Sequence, residues 1–281
     1  MRKPGRIILL IVFFLLLAVG LTILFVNAFT AGNERAENMI FEEEIRDVYI
    51  SAENADVTIL PSQDESTAIE LAASNDDVNL LTNLEGSELT VEVSESSSFL
   101  KLGLLDTSVL TIHVPVVNSR TLDIQNGNGD LIISNIEPYE FSGYTANGKI
   151  EIQGVSAKYF TAETENGDIS VRESDAQMVK LSSANGNIHL KNVYAFTDLM
   201  ALSSNGSINL QVSDLDYPLE FKANNGDITI QTDNKPMQGS IEATASNGTI
   251  DIFGDDSERI TFDGTFPRLK VDTVNGDILV E

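Results

Sequence analysis

The side chains that could do chemistry in this chain are mainly carboxylates. The sequence holds 43 acidic residues against 17 basic residues, and it has no cysteine. Carboxylates gathered on one surface serve polysaccharide hydrolases and lyases as acids, bases or ligands, and they also hold calcium. The missing cysteine excludes a disulfide framework, a thiolate zinc site and a cysteine nucleophile.

The two histidines give little support to catalysis. His113 and His189 both fall on the polar side of strands with alternating hydrophobicity, and no partner near them in that pattern completes a Ser-His-Asp or metal constellation. We therefore predict a non-enzymatic protein with no catalytic, cofactor-binding or metal-binding residue. The enzyme alternative is a polysaccharide-active β-helix, although the Lys and Arg residues that such sites often use are sparse and scattered here.

One acidic motif is similar to the calcium-binding β-roll repeats, which are glycine-rich nonapeptides with Asp. Residues 126–130 read Asn-Gly-Asn-Gly-Asp, but the repeat period in this chain is about 20 residues. In four copies a different residue replaces the Asp: Lys149, Asn187, Ser207 and Thr249. An obligatory calcium column is therefore not expected, and an isolated ion near Asp130 or Asp255-Asp256 is left open.

An Asn-Gly pair recurs eight times and must position these side chains. Its copies are Asn128-Gly129, Asn147-Gly148, Asn166-Gly167, Asn185-Gly186, Asn205-Gly206, Asn225-Gly226, Asn247-Gly248 and Asn275-Gly276. Counted from each Asn, positions −6, +3 and +5 are apolar in every copy, position −2 is small in seven copies, and position +4 is mostly polar. This alternation predicts strand, tight turn, strand, with Asn and Gly supplying the positive φ angles of the turn.

Two architectures can carry this repeat: a meander of antiparallel hairpins, or a solenoid in which each copy is one coil. The nearly constant period favours an all-β solenoid of the β-helix type, with about eight 20-residue coils stacked about 4.8 Å apart. Stacking would bring the Asn side chains into an amide ladder. Acids never occupy the position after Gly in two successive copies, which agrees with stacking because like charges would repel.

The first 44 residues predict a membrane anchor. Residues 7–27 are long and apolar enough to cross a bilayer as one helix. The basic tail 1–6 and the acidic stalk 28–44 place the N-terminus in the cytoplasm and the C-terminal domain outside the cell, as a single-pass protein of the cell membrane. A cleaved signal peptide is the alternative, because Val26-Asn27-Ala28 ends in a small residue that signal peptidase accepts.

The rest of the chain divides into two regions. Residues 45–120 predict an irregular N-terminal β region, and residues 121–281 hold the Asn-Gly solenoid. The first region contains an apolar cluster: Phe99, Leu100, Leu102, Leu104 and Leu105. This cluster is either a loop folded over the solenoid core or a loop that contacts a partner. The array ends inside its eighth copy, so we expect an uncovered C-terminal edge that docks a partner or a second copy.

Charge restricts the partners. The net charge of −26 argues against nucleic acid or anionic lipid as the ligand. Stacked outward rows would present a regular polar, acidic face to a cell-wall polymer or an envelope protein. We therefore expect a membrane-anchored surface module that binds or scaffolds.

Several motifs together resemble a known family. These motifs are Asn54-Ala55-Asp56-Val57, the strand end Thr111-Ile112-His113-Val114-Pro115, and Leu122-Asp123-Ile124 before the Asn-Gly-Asp repeats. Over roughly residues 45–281 the chain is similar to the bacterial candidate adhesins built from β-strand repeats. The resemblance implies an extracellular β-solenoid without catalytic residues, in a protein that accompanies a cell-envelope stress system of Gram-positive bacteria. An accessory regulator that acts through membrane-protein contacts is therefore the alternative function.

Overall fold

A computed structural model of the protein describes residues 35–74, 77–95, 108–116 and 119–281. Strands dominate this part of the chain, and none of its residues lies in a helix. Accordingly, the described residues include no helix that is long and apolar enough to span a membrane. The predicted span at 7–27 and the apolar cluster at 99–105 lie outside the described residues.

Hydrogen bonds join 22 strands of the described residues into one continuous sheet that wraps around a core. The strands are β1 Arg35–Phe41, β2 Asp47–Asn54, β3 Asp56–Pro61, β4 Thr67–Ala73, β5 Val78–Glu85, β6 Glu88–Glu95, β7 Ser108–Val114, β8 Thr121–Asn128, β9 Leu131–Ser134, β10 Glu140–Asn147, β11 Ile150–Gln153, β12 Ser156–Asn166, β13 Ile169–Asn185, β14 Ile188–Asn205, β15 Ile208–Val212, β16 Leu219–Asn225, β17 Ile228–Thr232, β18 Gln238–Asn247, β19 Ile250–Ile252, β20 Arg259–Thr261, β21 Asp263–Asn275 and β22 Ile278–Val280.

Strands from the Asn-Gly repeats lie side by side and parallel, and equivalent residues are in register. Phe141 pairs with Phe160, which pairs with Val179 on the next coil, and Ile150 pairs with Ile169. Each coil, called a rung below, runs along one side of the core, turns at Asn-Gly and returns along another side. The all-β solenoid prediction is confirmed, and the antiparallel hairpin alternative is wrong for this array.

The inward rows predicted from the repeat form one core. The side chains at positions −6, +3 and +5 are buried on every rung, except that Ile250 on the last rung is half-buried. The rings of Phe141 and Phe160 stack 5.2 Å apart inside the core, and Gly143 leaves space for the first of them. Burial of one such large apolar side chain contributes about 1.5–3 kcal/mol, so the continuous core is the main source of stability.

The turn glycines are required by close stacking rather than by a left-handed backbone. Among the eight turn glycines, only Gly129 and Gly226 have φ values in the positive range, at 128° and 156°. A Cβ atom on Gly167 would lie 1.9 Å from the carbonyl oxygen of Gly148 on the preceding rung. The predicted positive φ angles are therefore wrong for the other six glycines, because the chain turns a corner between stacked rungs and closes no hairpin.

The first rung of the stack comes from the N-terminal region. Strand β2 pairs in parallel with β8, which places Asn54 beside Asn128. The corner between β2 and β3 therefore adds a ninth rung to the eight predicted coils. On the other side of this rung, β6 pairs in parallel with β2, and β7 pairs in parallel with β3. Three antiparallel strands follow: β5 pairs with β6, β4 pairs with β7, and β1 pairs with β4.

Part of the predicted stalk is a strand. Residues 35–41 form β1, which runs antiparallel to β4. The side chains of Met39 and Phe41 are half-buried and pack against the core. Residues 35–41 of the predicted acidic stalk therefore belong to the β fold, because their apolar side chains alternate with polar ones and face the core.

At the other end, the rungs do not follow chain order. The copy that contains Asn275 lies between the copies that contain Asn225 and Asn247. The expectation that the C-terminal edge is uncovered is therefore wrong, because β22 pairs with β17 on one side and with β19 on the other. The last rung is formed by β18 and β19, and β20 covers part of β18 as an antiparallel strand.

Replacing a turn glycine inside the stack should destabilise the protein strongly. Gly167→Ala is expected to lower the free energy of unfolding by about 2–4 kcal/mol, because the new methyl group would overlap the Gly148 carbonyl. The measurement is chemical denaturation of the full-length chain. Gly86→Ala is the control, since Gly86 has a φ of 66° and no atom within 4 Å of the added Cβ. It should cost about 1 kcal/mol, and equal losses for both variants would contradict the stacking contact.

Candidate functional site

The corner asparagines form the predicted amide ladder. In spatial order the ladder runs Asn54, Asn128, Asn147, Asn166, Asn185, Asn205, Asn225, Asn275 and Asn247. Each Nδ2 donates to the Oδ1 of the preceding rung, at 2.8–2.9 Å in seven pairs and at 2.5 Å between Asn128 and Asn54. All of these bonds point the same way, so the ladder strengthens the corner cooperatively.

A second column explains the small residues at position −2. Five hydroxyl groups donate to the carbonyl oxygen of a glycine on the preceding rung, at 2.9–3.0 Å, and they belong to Thr145, Thr164, Ser183, Ser203 and Thr273. All five side chains are buried. The column therefore satisfies buried corner carbonyls that would otherwise lack a partner.

A third column contains the residue after each glycine, where acids do stack on neighbouring rungs. Asp130 stacks on Asp56, and Asp277 stacks on Asp227. The backbone N–H of Asp130 donates to Asp56 Oδ1 at 2.9 Å, and the backbone N–H of Asp277 donates to Asp227 Oδ1 at 2.8 Å. The expectation that acids do not stack on successive rungs is therefore wrong. The rung formed by β2 and β3 places Asp56 beside Asp130, and the copy that contains Asn275 places Asp277 beside Asp227. Hydrogen bonds from the backbone and hydroxyl of Thr249 lower the pKa of Asp277.

The acids that were considered for calcium are used inside the fold. Asp130 Oδ1 accepts the backbone N–H of Lys149 at 2.8 Å, and Asp255 Oδ1 accepts that of Ser257 at 2.8 Å. Within the described ranges, no group of three or more His, Cys, Asp or Glu side chains is arranged to hold a metal. The corner is thus a structural element, and a binding surface must be sought on the outer faces.

On four rungs the backbone bends a second time, seven residues after the corner Asn. This second corner ends the strand segment that follows the Asn-Gly turn. The backbone enters the left-handed region at Asn135, Gly154, Glu173 and Asn192, with φ values of 54°, 65°, 48° and 51°. On Glu173 this conformation is unusual, and its carboxylate accepts a hydrogen bond from Asn192 Nδ2 at 2.8 Å. Positions +4 and +6 lie between the two corners and point outward, so they form straight columns along the stack.

These outward columns line a polar groove of about 400 Å³ in the middle of the array. Its polar side chains come from four successive rungs: Ser170, Arg172, His189, Lys191, Asn209, Gln211, Thr229 and Gln231. None of these side chains is a carboxylate, although the chain has 43 acids and 17 bases. We call this surface the polar groove.

Two cations lie next to each other in the polar groove. Arg172 and Lys191 are register partners on neighbouring rungs, and both are exposed. In the described part of the chain neither side chain is within ion-pair distance of a carboxylate, whereas Lys180 pairs with Glu163 at 2.9 Å on the opposite face. The polar groove therefore carries a local positive charge that is not neutralised.

The remaining groups of the polar groove are hydrogen-bonding side chains. Asn209 Nδ2 lies 3.4 Å from His189 Nδ1. At this distance the amide of Asn209 and the imidazole ring of His189 can share a hydrogen bond across neighbouring rungs. Carboxylates border the polar groove: Glu151 lies beside Ser170 at one end, Glu281 accepts a hydrogen bond from Gln231 at 2.9 Å at the other end, and Glu173 follows Arg172 at the second corner.

A second outward surface is apolar and aromatic. We call Tyr139, Tyr159, Met178 and Phe196 the aromatic strip, and their exposed fractions are 48%, 39%, 44% and 72%. Lys158 donates to the hydroxyl of Tyr139 at 2.6 Å, which raises the pKa of Lys158, and its Nζ lies 4.9 and 5.2 Å from the two tyrosine ring centres. Four exposed large side chains on neighbouring rungs indicate a contact surface.

Sequence comparison places this architecture in a known family, because the profile of the Toastrack DUF4097 family matches residues 45–281. The chain belongs to the Toastrack DUF4097 family. The matched range covers all nine rungs and both outward surfaces. Among curated proteins, none matches this Toastrack chain.

Solved structures share the fold of this Toastrack protein. A candidate adhesin from Bacteroides fragilis NCTC 9343 superposes with a TM-score of 0.56 at 13% identity, over 88% of this chain and 97% of that chain. A candidate adhesin and a candidate lipid-binding protein, both from Parabacteroides distasonis ATCC 8503, have TM-scores of 0.38 at 9% and 13% identity, each over 89% of this chain and 98% of the other chain. The first similarity supports the fold alone.

Sequence reasoning missed the polar groove of this Toastrack chain, although a signal was present. Arg172 and Lys191 are 19 residues apart and occupy the same position, +6, in successive copies. The signal is weak because most of the other copies carry uncharged residues at position +6, among them Gln153, Gln211 and Gln231, so the basic residues are sparse along the chain. The second corner had a signal of the same kind, because Asn135, Gly154 and Asn192 all occupy position +7.

Breaking the asparagine ladder inside the stack should cost more than breaking it at the end. Asn166→Ala removes the bonds to both neighbours and is expected to lower the free energy of unfolding by about 1–2 kcal/mol. Asn247→Ala, at the last rung, removes one such bond and should cost about half as much. Denaturant titration of the two variants measures the difference, and a larger loss at Asn247 would contradict the ladder order.

Acid stability should depend on Asp47, which is 2% exposed and receives two hydrogen bonds from the Arg120 guanidinium. Burial raises the pKa of Asp47, but the hydrogen bonds and charge of Arg120 outweigh it, and the net result is a lowered pKa. The ionised carboxylate therefore stabilises the fold above its unfolded pKa of about 3.9, and this contribution is lost as the pH falls through the lower folded pKa.

We expect Asp47→Asn to destabilise the protein by about 1–3 kcal/mol at pH 7 and by much less near pH 3. Thermal unfolding as a function of pH measures this convergence. Asp216→Asn, at an exposed carboxylate, is the control and should follow the wild type at both pH values. A constant difference between Asp47→Asn and wild type over that range would contradict the role of this pair.

Proposed function

We propose that this Toastrack protein is a membrane-anchored, extracellular binding or scaffold module of the cell envelope, without enzymatic activity. The observation that carries the proposal is the polar groove, in which four successive rungs present hydrogen-bonding side chains at equivalent positions. The apolar residues 7–27, with basic residues before them and acidic residues after them, support the anchor.

A stacked surface of this kind suits a repeating polymer. Equivalent side chains recur about every 4.8 Å along the stack, so a chain of similar units can meet similar donors and acceptors on several rungs. The groove side chains project from strands that pair with a neighbouring rung on each side. Binding to such a preorganised surface loses little conformational entropy, which favours affinity from many weak contacts.

The chemistry of the polar groove supports binding over catalysis. Glycoside hydrolases usually need two carboxylates that flank the scissile bond. The side chains that line the polar groove are amides, hydroxyls and bases, and the acids Glu151 and Glu281 stand at its opposite ends. The shared fold with the candidate adhesin from Bacteroides fragilis agrees with a surface role.

The aromatic strip favours a second function, that of an accessory regulator of an envelope stress response. Tyr139, Tyr159, Met178 and Phe196 form an exposed apolar surface that suits a protein partner better than a polar polymer. A membrane protein held beside the anchor is the partner that this function requires. The two functions use different surfaces, so they can be separated by mutation.

The binding function is tested by retention of the full-length protein on isolated cell envelopes. Asn209→Ala with Gln211→Ala removes amides from the polar groove and should weaken retention about 3- to 10-fold, since each hydrogen bond contributes about 1 kcal/mol at most. Ser204→Ala with Asn224→Ala, on the opposite outer face, is the matched control and should bind like the wild type. Equal retention of both variants, or of an unrelated acidic protein, would contradict the proposal.

The regulatory function is tested with Tyr159→Ser and Phe196→Ser. If the aromatic strip contacts a membrane protein, these variants should lose the cross-linked partner and change the stress response, while retention on envelopes persists. If the stress response instead changes only in those variants that also lose retention on envelopes, binding is the sole function. Both side chains are exposed, so neither substitution removes core packing.

A further inference from the structure

We propose that the polar groove binds a linear polyanion, a polymer that carries phosphate or carboxylate groups, with Arg172 and Lys191 as the anion-binding residues. This inference rests on the proposed envelope-binding function and names the ligand class for the same groove. It is carried by the distribution of charge over the stack.

Several basic side chains elsewhere on the rungs are paired with acids, whereas Lys149, Lys158, Lys235 and Arg268 form no ion pair within the described residues. Four of the ion pairs join Arg120 with Asp47, Lys180 with Glu163, Lys222 with Glu220, and Arg259 with Glu242. Arg172 and Lys191 have no such partner among the described residues, although acids outnumber bases 43 to 17. What distinguishes Arg172 and Lys191 from the other unpaired bases is that they are direct register partners on neighbouring rungs.

The adjacency of these two cations carries an energetic cost. They are direct register partners on parallel strands, and like charges in that position destabilise a sheet. A residue pair that costs stability without a partner in the fold is typical of a binding site, where an incoming anion removes the repulsion. His189 lines the same groove, where its imidazole ring adds a third nitrogen-bearing side chain beside the two cations.

The shape of the site indicates a polymer that runs along the stack axis. Position +6 holds Gln153, Arg172, Lys191, Gln211 and Gln231 on successive rungs. The amides on both sides of the two cations offer donors to the oxygen atoms of the same chain. The carboxylates Glu151 and Glu281 bound the column, so a bound segment spans about four rungs.

Charge also distinguishes this ligand from the alternatives. A neutral polysaccharide would gain nothing from two unpaired cations, and hydroxyl or amide side chains would serve it equally well. A nucleic acid duplex is too wide to follow one column, and the net charge of −26 would repel the part that extends beyond it. A flexible single-chain polyanion fits the narrow, locally positive surface.

The test uses the full-length protein and three soluble probes. Polyphosphate represents a phosphate polymer, polygalacturonate a carboxylate polymer, and dextran a neutral one. We expect the protein to bind at least one polyanion with an affinity that falls as salt rises, and to bind dextran at least tenfold more weakly. The probe that binds more tightly identifies phosphate or carboxylate as the source of the charge.

The deciding variant is Arg172→Gln with Lys191→Gln, because glutamine already occupies this column at 153, 211 and 231 and is compatible with the fold. It should weaken polyanion binding about tenfold and flatten the salt dependence. Lys149→Gln with Arg268→Gln makes the same change of charge at exposed positions outside the polar groove. This control should stay within about twofold of the wild type.

The inference is overturned if dextran binds as well as the polyanions, or if the two double variants bind them equally. Retention on envelopes separates this failure from failure of the proposed function. If Arg172→Gln with Lys191→Gln is retained normally while Asn209→Ala with Gln211→Ala is lost, the groove binds a neutral polymer. The proposed function then stands and the polyanion does not.

Discussion

The close contact between glycines of neighbouring rungs is the constraint on which the rest of the structure depends. From Gly129 onward, the carbonyl of one corner glycine occupies the place that a Cβ of the glycine on the next rung would need, as at Gly148 and Gly167. Because no side chain stands between them, both arms of each rung can approach to strand spacing. The asparagine ladder, the hydroxyl column and the buried rows then fall into register.

Register at the corner also determines the outer surfaces. Since side chains alternate along a strand, a fixed corner assigns every residue of a rung to the core or to solvent. A residue type repeated at one position of the copies therefore becomes a continuous column. The polar groove is such a surface, and its unpaired Arg172 and Lys191 are neighbours only because the corners align.

Much of this architecture could be predicted from the repeat, because its period reflects stacking directly. The Asn-Gly spacing and the apolar rows indicated parallel coils, and the asparagine ladder followed from them. The rung order could not be predicted in the same way. The 28-residue interval before Asn275 indicates an irregular copy, but the fold of residues 253–261 back onto β18 depends on long-range pairing. For the same reason the sequence did not reveal that Asp227 and Asp277 would stack.

Lysine footprinting can show whether the polar groove is the surface that meets the envelope. Lysines stand on several surfaces of the stack, so acetylation of the full-length protein with and without isolated envelopes, read by mass spectrometry, reports each surface separately. If the polar groove meets the envelope, Lys191 should be strongly protected, with little change at Lys149 at the Asn-Gly corner or at Lys180 and Lys222 on the arm before that corner. Uniform labelling, or protection centred on Lys158 in place of Lys191, would contradict this expectation.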